Sequence, residues 1–474
     1  MSSAGLLLLA GGGHSHALIL KRWAMDPGRR PARPVVLINR CSTALYSGMV
    51  PALIAGIDPP EALAIDLRSL CDRAGVSFVQ AEITGLDPIQ RCLVLANRPP
   101  LHFGLLSLDV GAISRPSAEG MAIKPLEPAL AFIASEDPNS TIPFTVVGTG
   151  AAAIEVVLAL RRRWPQRPLR LQTRSKGPGA LEQRILSEAS IDLVTTPGPT
   201  IGPRLLCTGS RGPNWLTASG LPVDGDGRLR TDALLRVEGC QQIFASGDCA
   251  VIAAAPRPAS GVWAVRGAIP LARNLEASCL DRPLRPWQPQ REALQLIGDQ
   301  HGRAWARRGR WQLGPNTLLW RWKRQIDRRF MAGFRSSEQM AITGPMACRG
   351  CAAKLPAQPL QAALNQAGLS GTPEDAARIE GDPPLLQSVD GFPALVSDPW
   401  LNGRLTTLHA CSDLWACGTR VDSAQAIVTL PMLEAAEQQE LLVQTLGGVR
   451  SVLQEQSTQL IVGHTLESRS APPP

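Results

Sequence analysis

The sequence predicts an α/β chain in which one strand–turn–helix–strand unit occurs twice, followed by a smaller region of mixed helix and strand. Three observations carry this. An apolar run, Leu6 to Ala10, enters the glycines Gly11, Gly12 and Gly13. The same pattern returns about 135 residues later, where Phe144 to Val147 enters GTGAAAIE, Gly148 to Glu155. The chain has 474 residues, 44% hydrophobic and 19% charged, which suits several packed domains and excludes both a single small module and a disordered chain.

The elements follow in order. Leu6 to Ala10 reads as a buried strand, Gly11 to His16 as a turn, Ala17 to Ala24 as a helix, and Pro34 to Asn39 as the next strand. Ser77 to Asp109 alternates apolar and polar residues between turn signals, as an antiparallel meander does. In the second copy, helix Val156 to Arg163 leads to strand Leu169 to Arg174. Gln241 to Ile252 is a short strand ending in Gly-Asp. Apolar periodicity lapses at 336–345, a linker. Beyond it come the loop Met346 to Lys354, a helix from Pro356 to Ala367, strands at Leu385 to Ser388 and Ala424 to Leu430, and a tail, ESRSAPPP.

No apolar run reaches the 18 or so residues of a spanning helix, and the N-terminal run lacks the flanks of a signal peptide, so the expected location is cytoplasmic. Eleven cysteines with one CxxC pair, Cys348 and Cys351, do not form a disulfide framework. The net charge of +8 is concentrated: Arg303 to Arg335 holds ten Lys or Arg against Asp327 alone, with Trp305, Trp311, Trp320 and Trp322 among them. Three readings stand for this window. It is a solvated helix whose tryptophans pack on a neighbour, which is favoured, or a surface for anionic membranes, or, least favoured, a grip on nucleic acid.

A glycine turn between strand and helix lets a diphosphate approach the backbone and meet the positive helix end. Gly11 and Gly13 fit the first two glycines of GxGxxG, while His16 stands where the third allows close helix-to-strand packing. Asn39 ends the second strand where an acid usually binds ribose hydroxyls. Gly148, Gly150 and Ala153 match the GxGxxA variant. Arg174 and Lys176 follow the next strand, where a cation meets a 2′-phosphate, and lean towards NADPH.

Two such turns followed by a strand ending in Gly-Asp, together with YSGMVPALIAG (46–56), SLDVGAISRP (107–116), LLCTGS (205–210), SGLPVD (219–224), IFASGDCA (243–250) and SGVWAVRGAIPLARNL (260–275), resemble the pyridine nucleotide-disulfide oxidoreductases, in particular the branch similar to type II NADH dehydrogenases. The resemblance spans roughly residues 5–335. It implies FAD in the first site and a nicotinamide nucleotide in the second. It further implies that Asp248, after Gly247, bonds the ribityl chain, and that the helix starting near Gly261 points its positive end at the flavin. No CxxC lies in this part, so electrons are expected to pass directly from nicotinamide to flavin to a small-molecule acceptor. The stretch from Arg174 to Leu205 is short for the nicotinamide domain, and Cys207 and Cys249 read as buried small hydrophobes.

The C-terminal part resembles selenide, water dikinase (selenophosphate synthetase) through GCAAKLP (350–356), EDAARI (374–379), LLQSVDGF (385–392), SDPW (397–400), HACSDLWACG (409–418) and VGHT (462–465). The resemblance places Cys351 at the reactive Cys or Sec position and Lys354 at the catalytic lysine. It makes Asp375 and Asp413 metal ligands for Mg²⁺, and Asp390 and the Gly463-His464 turn ATP contacts. The family's second half is absent from this sequence, and Val462 replaces the first glycine of its GGH turn, so no kinase activity is expected of the chain alone.

The fold class implied is two Rossmann-like dinucleotide-binding domains followed by a partial α+β domain of the selenophosphate synthetase (PurM-like) kind. The oxidoreductase region is 1–335, with FAD at 1–142 and 205–290, the nicotinamide nucleotide at 143–204 and the basic Trp-rich segment at 291–335. The truncated synthetase-like domain is 346–474. The expected function is an FAD-dependent NAD(P)H oxidoreductase linked to selenium metabolism, with an oligomer or a separate kinase subunit as further partners. Two alternatives stand beside it, a membrane-surface NADH:quinone oxidoreductase peripheral to the inner membrane and a non-catalytic flavin- or nucleotide-binding remnant.

Overall fold

The computed structural model describes residues 5–115, 120–173, 177–195, 202–335, 356–369 and 375–468. It divides into two compact units. The first comprises 1–76, 80–91 and 103–335, and the second 77–79, 92–102 and 336–474.

The first unit is built on two parallel sheets. In one, the strands Ile243–Ala245, Leu105–Leu108, Leu7–Ala10 and Val35–Asn39 lie side by side in that order, with Leu7 opposite both Val35 and Leu105. Leu7, Leu8, Leu9 and Ala10 are all fully buried, the signature of a central strand covered on both faces. Helix His14–Met25 starts three residues earlier than its apolar pattern suggested and buries Ile19, Leu20 and Trp23. It is tied to helix Gly261–Ser278 through Glu276, which accepts from Arg22 Nε at 2.9 Å and Trp23 Nε1 at 3.0 Å.

The second sheet orders Met121–Ala122, Arg204–Leu206, Phe144–Val147, Leu169–Gln172 and Ile191–Val194, all parallel. Helix Ala151–Arg163 follows its central strand and buries Ala153, Ile154 and Val156 to Leu160. The expected meander shrinks to strands within residues 83–102, because Leu105–Leu108 joins the parallel sheet: LLSL is buried on both faces and carries no alternation.

The basic window folds as the antiparallel strands Gln295–Gly298, Ala304–Arg308 and Trp311–Asn316 and the helix Thr317–Ala332, capped by Asn316 Oδ1 on the Leu319 amide at 2.8 Å. Its tryptophans divide. Trp305 is fully buried and Trp320 packs on Ala304, Ala306 and Leu319, while Trp311 and Trp322 are exposed.

In the second unit, helices Pro399–Ala416 and Ala435–Glu455 pack together, and the latter connects two parallel strands, Ser423–Pro431 and Gln459–Ser468. Asp398 caps the first of these helices through the Trp400 amide at 3.1 Å and pairs with the buried Arg98 at 2.8 Å. Strands Ala377–Ile379 and Leu385–Gln387 form a hairpin, and helix Ala357–Gln366 completes the described elements.

Candidate functional site

The first glycine turn opens onto a cleft of about 490 Å³ whose lining includes Gly11, Gly13, Asn39, Asp109, Lys124 and Asp248. Asn39 does not stand free for a ribose. Its Oδ1 accepts from the Gly12 amide at 2.9 Å and its Nδ2 donates to the Cys41 carbonyl at 2.8 Å, so it fastens the glycine turn to the second strand. His16 is a satisfied core histidine. Its ring bridges the Gly11 carbonyl at 2.7 Å and Ser107 Oγ at 2.8 Å, and burial lowers its pKa to about 4, so it is neutral. Helix and strand therefore approach through a hydrogen-bonded ring where a third glycine would have let them touch.

Two carboxylates face this cleft. Asp248 accepts from Lys124 Nζ at 2.6 Å through Oδ2, while its Oδ1 is buried with no hydrogen-bond partner. An orphaned buried acceptor asks for a donor, and a ribityl hydroxyl supplies one. Asp109, to which the sequence assigns no role, is buried at the end of strand Leu105–Leu108, and its Oδ2 accepts from the Ser15 amide at 2.8 Å and the His16 amide at 3.2 Å. Burial pushes its pKa up to about 6, against the opposing pull of His14 and these two amides. Gly247, at φ +70°, lies so close that a Cβ there would stand 2.1 Å from Asp109 Oδ1. His14 is lowered by burial, and its Nε2 is buried without a partner. The cleft, the orphaned Asp248 oxygen and the start of helix Gly261–Ser278, whose Gly261 and Ala264 reach the cleft, fit FAD. The amide pair at the end of the first helix, however, is already taken by Asp109.

Beside the cleft, Tyr46 stacks on Phe330 at 4.4 Å and sets its ring edge against His14 at 5.6 Å. Its hydroxyl donates to Asp327 Oδ1 at 3.1 Å. Lys323 Nζ lies 3.8 Å from Asp327 and 3.6 Å from Glu155, which also accepts from the Gly298 amide at 3.0 Å. Burial raises the pKa of Glu155 and of Asp327. It works against the Lys323 charge, but the two carboxylates outweigh it and raise that pKa too. Lys323 and Asp327 read as surface charge in the sequence, since nothing local marks two residues of a basic helix as buried.

In the second turn, Gly148 has φ +152° and a Cβ there would lie 2.7 Å from the Cys207 carbonyl, so glycine is required. Gly150 caps helix Ala151–Arg163 and Ala153 is fully buried against the sheet, in keeping with the GxGxxA spacing. Arg174 and Lys176 lie outside the described residues. Burial pushes the Cys207 thiol up to about 12 and that of Cys249 higher, and Cys249 Sγ contacts the Ser246 carbonyl at 3.1 Å, as inert packing thiols do.

In the second unit Cys351 and Lys354 also lie outside the described residues. Asp390 Oδ2 meets His409 Nδ1 at 2.8 Å, and Asp413, one turn further along the same helix, accepts from Ser388 Oγ at 3.2 Å. Asp375 precedes the strand Ala377–Ile379. Among the described residues no three His, Cys, Asp or Glu side chains converge on a metal position. Gly463 and His464 do not form a turn. They sit inside the strand Gln459–Ser468, opposite Ala426 and Ile427, because the parallel pairing runs on to Ser468.

Comparison with known proteins agrees with this division. Residues 373–474 match the family model described as AIR synthase related protein, N-terminal domain. Over 99 residues the chain is 35% identical to the selenide, water dikinase of Nitratidesulfovibrio vulgaris (strain DP4), covering 20% of this chain and 28% of that protein. Over 144 residues it is 27% identical to the selenide, water dikinase of Bdellovibrio bacteriovorus, covering 28% and 41%. The chain thus spans well under half the length of these relatives. Among solved structures, the sulfide:quinone oxidoreductase of Aquifex aeolicus superposes with a TM-score of 0.58 at 15% identity, over 70% of this chain and 92% of that one. The water-forming NADH oxidase of Lactobacillus brevis gives 0.53 at 17%, over 65% and 75%, and a NAD-dependent persulfide reductase from A. fulgidus 0.53 at 14%, over 64% and 63%. The chain therefore joins a region that shares the fold of these solved oxidoreductases to a C-terminal segment matching the AIR synthase related N-terminal domain.

Proposed function

We propose that the first unit is an FAD-dependent NAD(P)H oxidoreductase that passes electrons to a small-molecule acceptor, and that the attached segment links it to selenium or sulfur metabolism. The observation that carries this is the orphaned Asp248 oxygen in a cleft bounded by a glycine turn and a second helix start, in a unit that also holds a second glycine turn. Bound FAD would accept a hydride from the nicotinamide and hand electrons on. The chain's own contribution is to hold it: Asp248 receives a hydroxyl donor, the Gly261 helix end offers its dipole, and the His14–Tyr46–Phe330 cluster packs beside the cleft. Asp390 and Asp413 are the residues of the second unit proposed to meet ATP and Mg²⁺. Purified protein is expected to be yellow, to bleach with NAD(P)H under anaerobic conditions, and to lose most of its flavin on Asp248→Ala. Full flavin occupancy in that variant refutes the assignment of Asp248.

A second reading, placement on an anionic membrane surface, has its own observation. Leu318 and Trp322, one turn apart on helix Thr317–Ala332, are 72% and 44% exposed, and Trp311 is 84% exposed, amid the basic residues of 303–335. Among the described residues no helix is long and apolar enough to cross a membrane. Flotation with phosphatidylglycerol vesicles but not phosphatidylcholine vesicles, lost on Trp322→Glu, supports surface attachment. Equal behaviour on both lipids removes it.

A further inference from the structure

The first glycine turn has almost no amide left to give. Gly11 N is bonded to the Ile38 carbonyl, Gly12 N to Asn39, Gly13 N to the Asp109 carbonyl, and Ser15 N and His16 N to the Asp109 carboxylate. The positive end of helix His14–Met25 is thus already neutralised by a side chain 94 residues away. The fit is close on three sides: a Cβ would stand 2.4 Å from the Asp109 carbonyl at Gly11, 2.3 Å from the carboxyl carbon at Gly13 and 2.1 Å from Oδ1 at Gly247. The glycines of both sequence signals therefore make room for Asp109, and any diphosphate brought to this turn meets a resident anion.

Resting on the FAD reading of this cleft, we infer that Asp109 is a specificity-determining residue of the cofactor site, which admits a dinucleotide diphosphate together with one proton on its carboxyl. Two anions cannot share one helix end without loss of charge on one of them. The diphosphate stays ionised near neutrality, so the carboxyl is the group that yields. The surroundings make this accessible. Asp109 already stands at about 6, and the groups facing it are His14, lowered by burial, the neutral His16, the Cys249 thiol, kept protonated by burial, and the Lys124–Asp248 pair. Protonated Asp109 still accepts from one helix amide while its own O–H becomes a donor.

The test uses the full chain stripped of flavin, with FAD as the probe, titrated calorimetrically between pH 5.5 and 8.5 in buffers of different ionisation enthalpy. The wild type is expected to take up about one proton on binding at pH 7.5, and its dissociation constant to rise by about tenfold per pH unit above 6. Asp109→Asn keeps the shape and an acceptor for the helix amides, and is expected to bind FAD with no proton uptake and a flat profile. At pH 8 it should bind on the order of a hundredfold tighter than the wild type. His14→Gln should keep the wild-type slope. A flat wild-type profile, a slope that survives in Asp109→Asn, or one abolished by His14→Gln instead would overturn the role of Asp109 while leaving the FAD site intact. No FAD binding by wild type and both variants at any pH would overturn the FAD reading itself.

Discussion

Removing the Lys323 charge tests whether the buried cluster beside the cleft is an ion pair that holds the unit together. In Lys323→Met the aliphatic stem stays buried, but Glu155 and Asp327, 14% and 8% exposed, lose their shared cation. Breaking a buried pair by removing one partner costs about 3–5 kcal/mol, and separations of 3.6 and 3.8 Å put this case at the lower end, about 3 kcal/mol. For a unit of this size that is a fall in Tm of about 4–5 °C, read by tryptophan fluorescence because Trp305 and Trp320 sit in the same sheet–helix layer. The sign with pH follows from the carboxyls. Burial already raises the pKa of Glu155, and losing Lys323 raises it further, so the folded variant binds a proton that the unfolded chain releases. Stability then falls as pH rises from the ordinary carboxyl range through the raised value. The loss relative to wild type should be large at pH 8 and shrink towards pH 5, and adding Glu155→Gln should recover part of it at pH 8. A loss equal at pH 5.5 and 8, or a double variant no more stable than Lys323→Met, would refute the pairing.

His16→Ala should cost about 2–4 kcal/mol, since it leaves the Gly11 carbonyl and Ser107 Oγ buried without partners and opens a cavity. Because folding lowers the His16 pKa from 6.5 to about 4, wild-type stability falls as pH drops through that window, and urea melts of the variant should show a shallower acid dependence. Arg174→Glu should weaken NADPH much more than NADH in anaerobic bleaching; equal loss for both would separate Arg174 from any 2′-phosphate. These 474 residues alone should give no selenophosphate signal in phosphorus NMR with ATP, Mg²⁺ and selenide; a signal abolished by Cys351→Ala would refute this.

The strand–turn–helix units were legible because each compresses its signal into some fifteen residues: an apolar run, a glycine turn, then helical periodicity. Asp248 was legible for the same reason, as the residue after Gly247 at a strand end. Helix starts came out a few residues late, since His14 to His16 and Ala151 to Glu155 read as turn chemistry while their backbone is already helical. Leu105–Leu108 was misread because a parallel strand buried on both faces loses the alternation that identifies strands. The turn at Gly463 and His464 was carried over from the resemblance, and here the parallel pairing with Ala426 and Ile427 carries the strand through it. Asp109, Glu155, Lys323 and Asp327 carried no local signal of their burial or of their partners. Ser15 and Asp109 are 94 residues apart and Tyr46 and Asp327 are 281 apart, so only the fold brings them together.

What the fold brings together changes the electrostatic account of the first cleft. The acidic and basic lining residues are His14, Arg40, Glu82, Asp109, Lys124, Glu127 and Asp248. Each of the two cations already has a carboxylate, Arg40 with Glu127 at 2.7 Å and Lys124 with Asp248 at 2.6 Å. Among the described lining residues that leaves Glu82 and Asp109 as acids without a cationic side chain, Asp109 held by the amides that start helix His14–Met25, and His14 lowered by burial. A cleft of that sign repels a diphosphate: at an effective dielectric of about 20, two unit charges 4 Å apart interact by about 4 kcal/mol. On the proposed FAD reading, affinity would come from burial of the flavin and adenine rings, from the Asp248 acceptor and from the helix dipole at Gly261, with the diphosphate tolerated once Asp109 is neutral. The second turn has the opposite arrangement. Gly150 leaves its helix end open, with nothing near the position of a Cβ, and no acid stands in the first turn of that helix. On the proposed reading, a nucleotide there would meet a helix end with no acid in its own first turn, so the two turns should differ in salt and pH response although both are strand–turn–helix units.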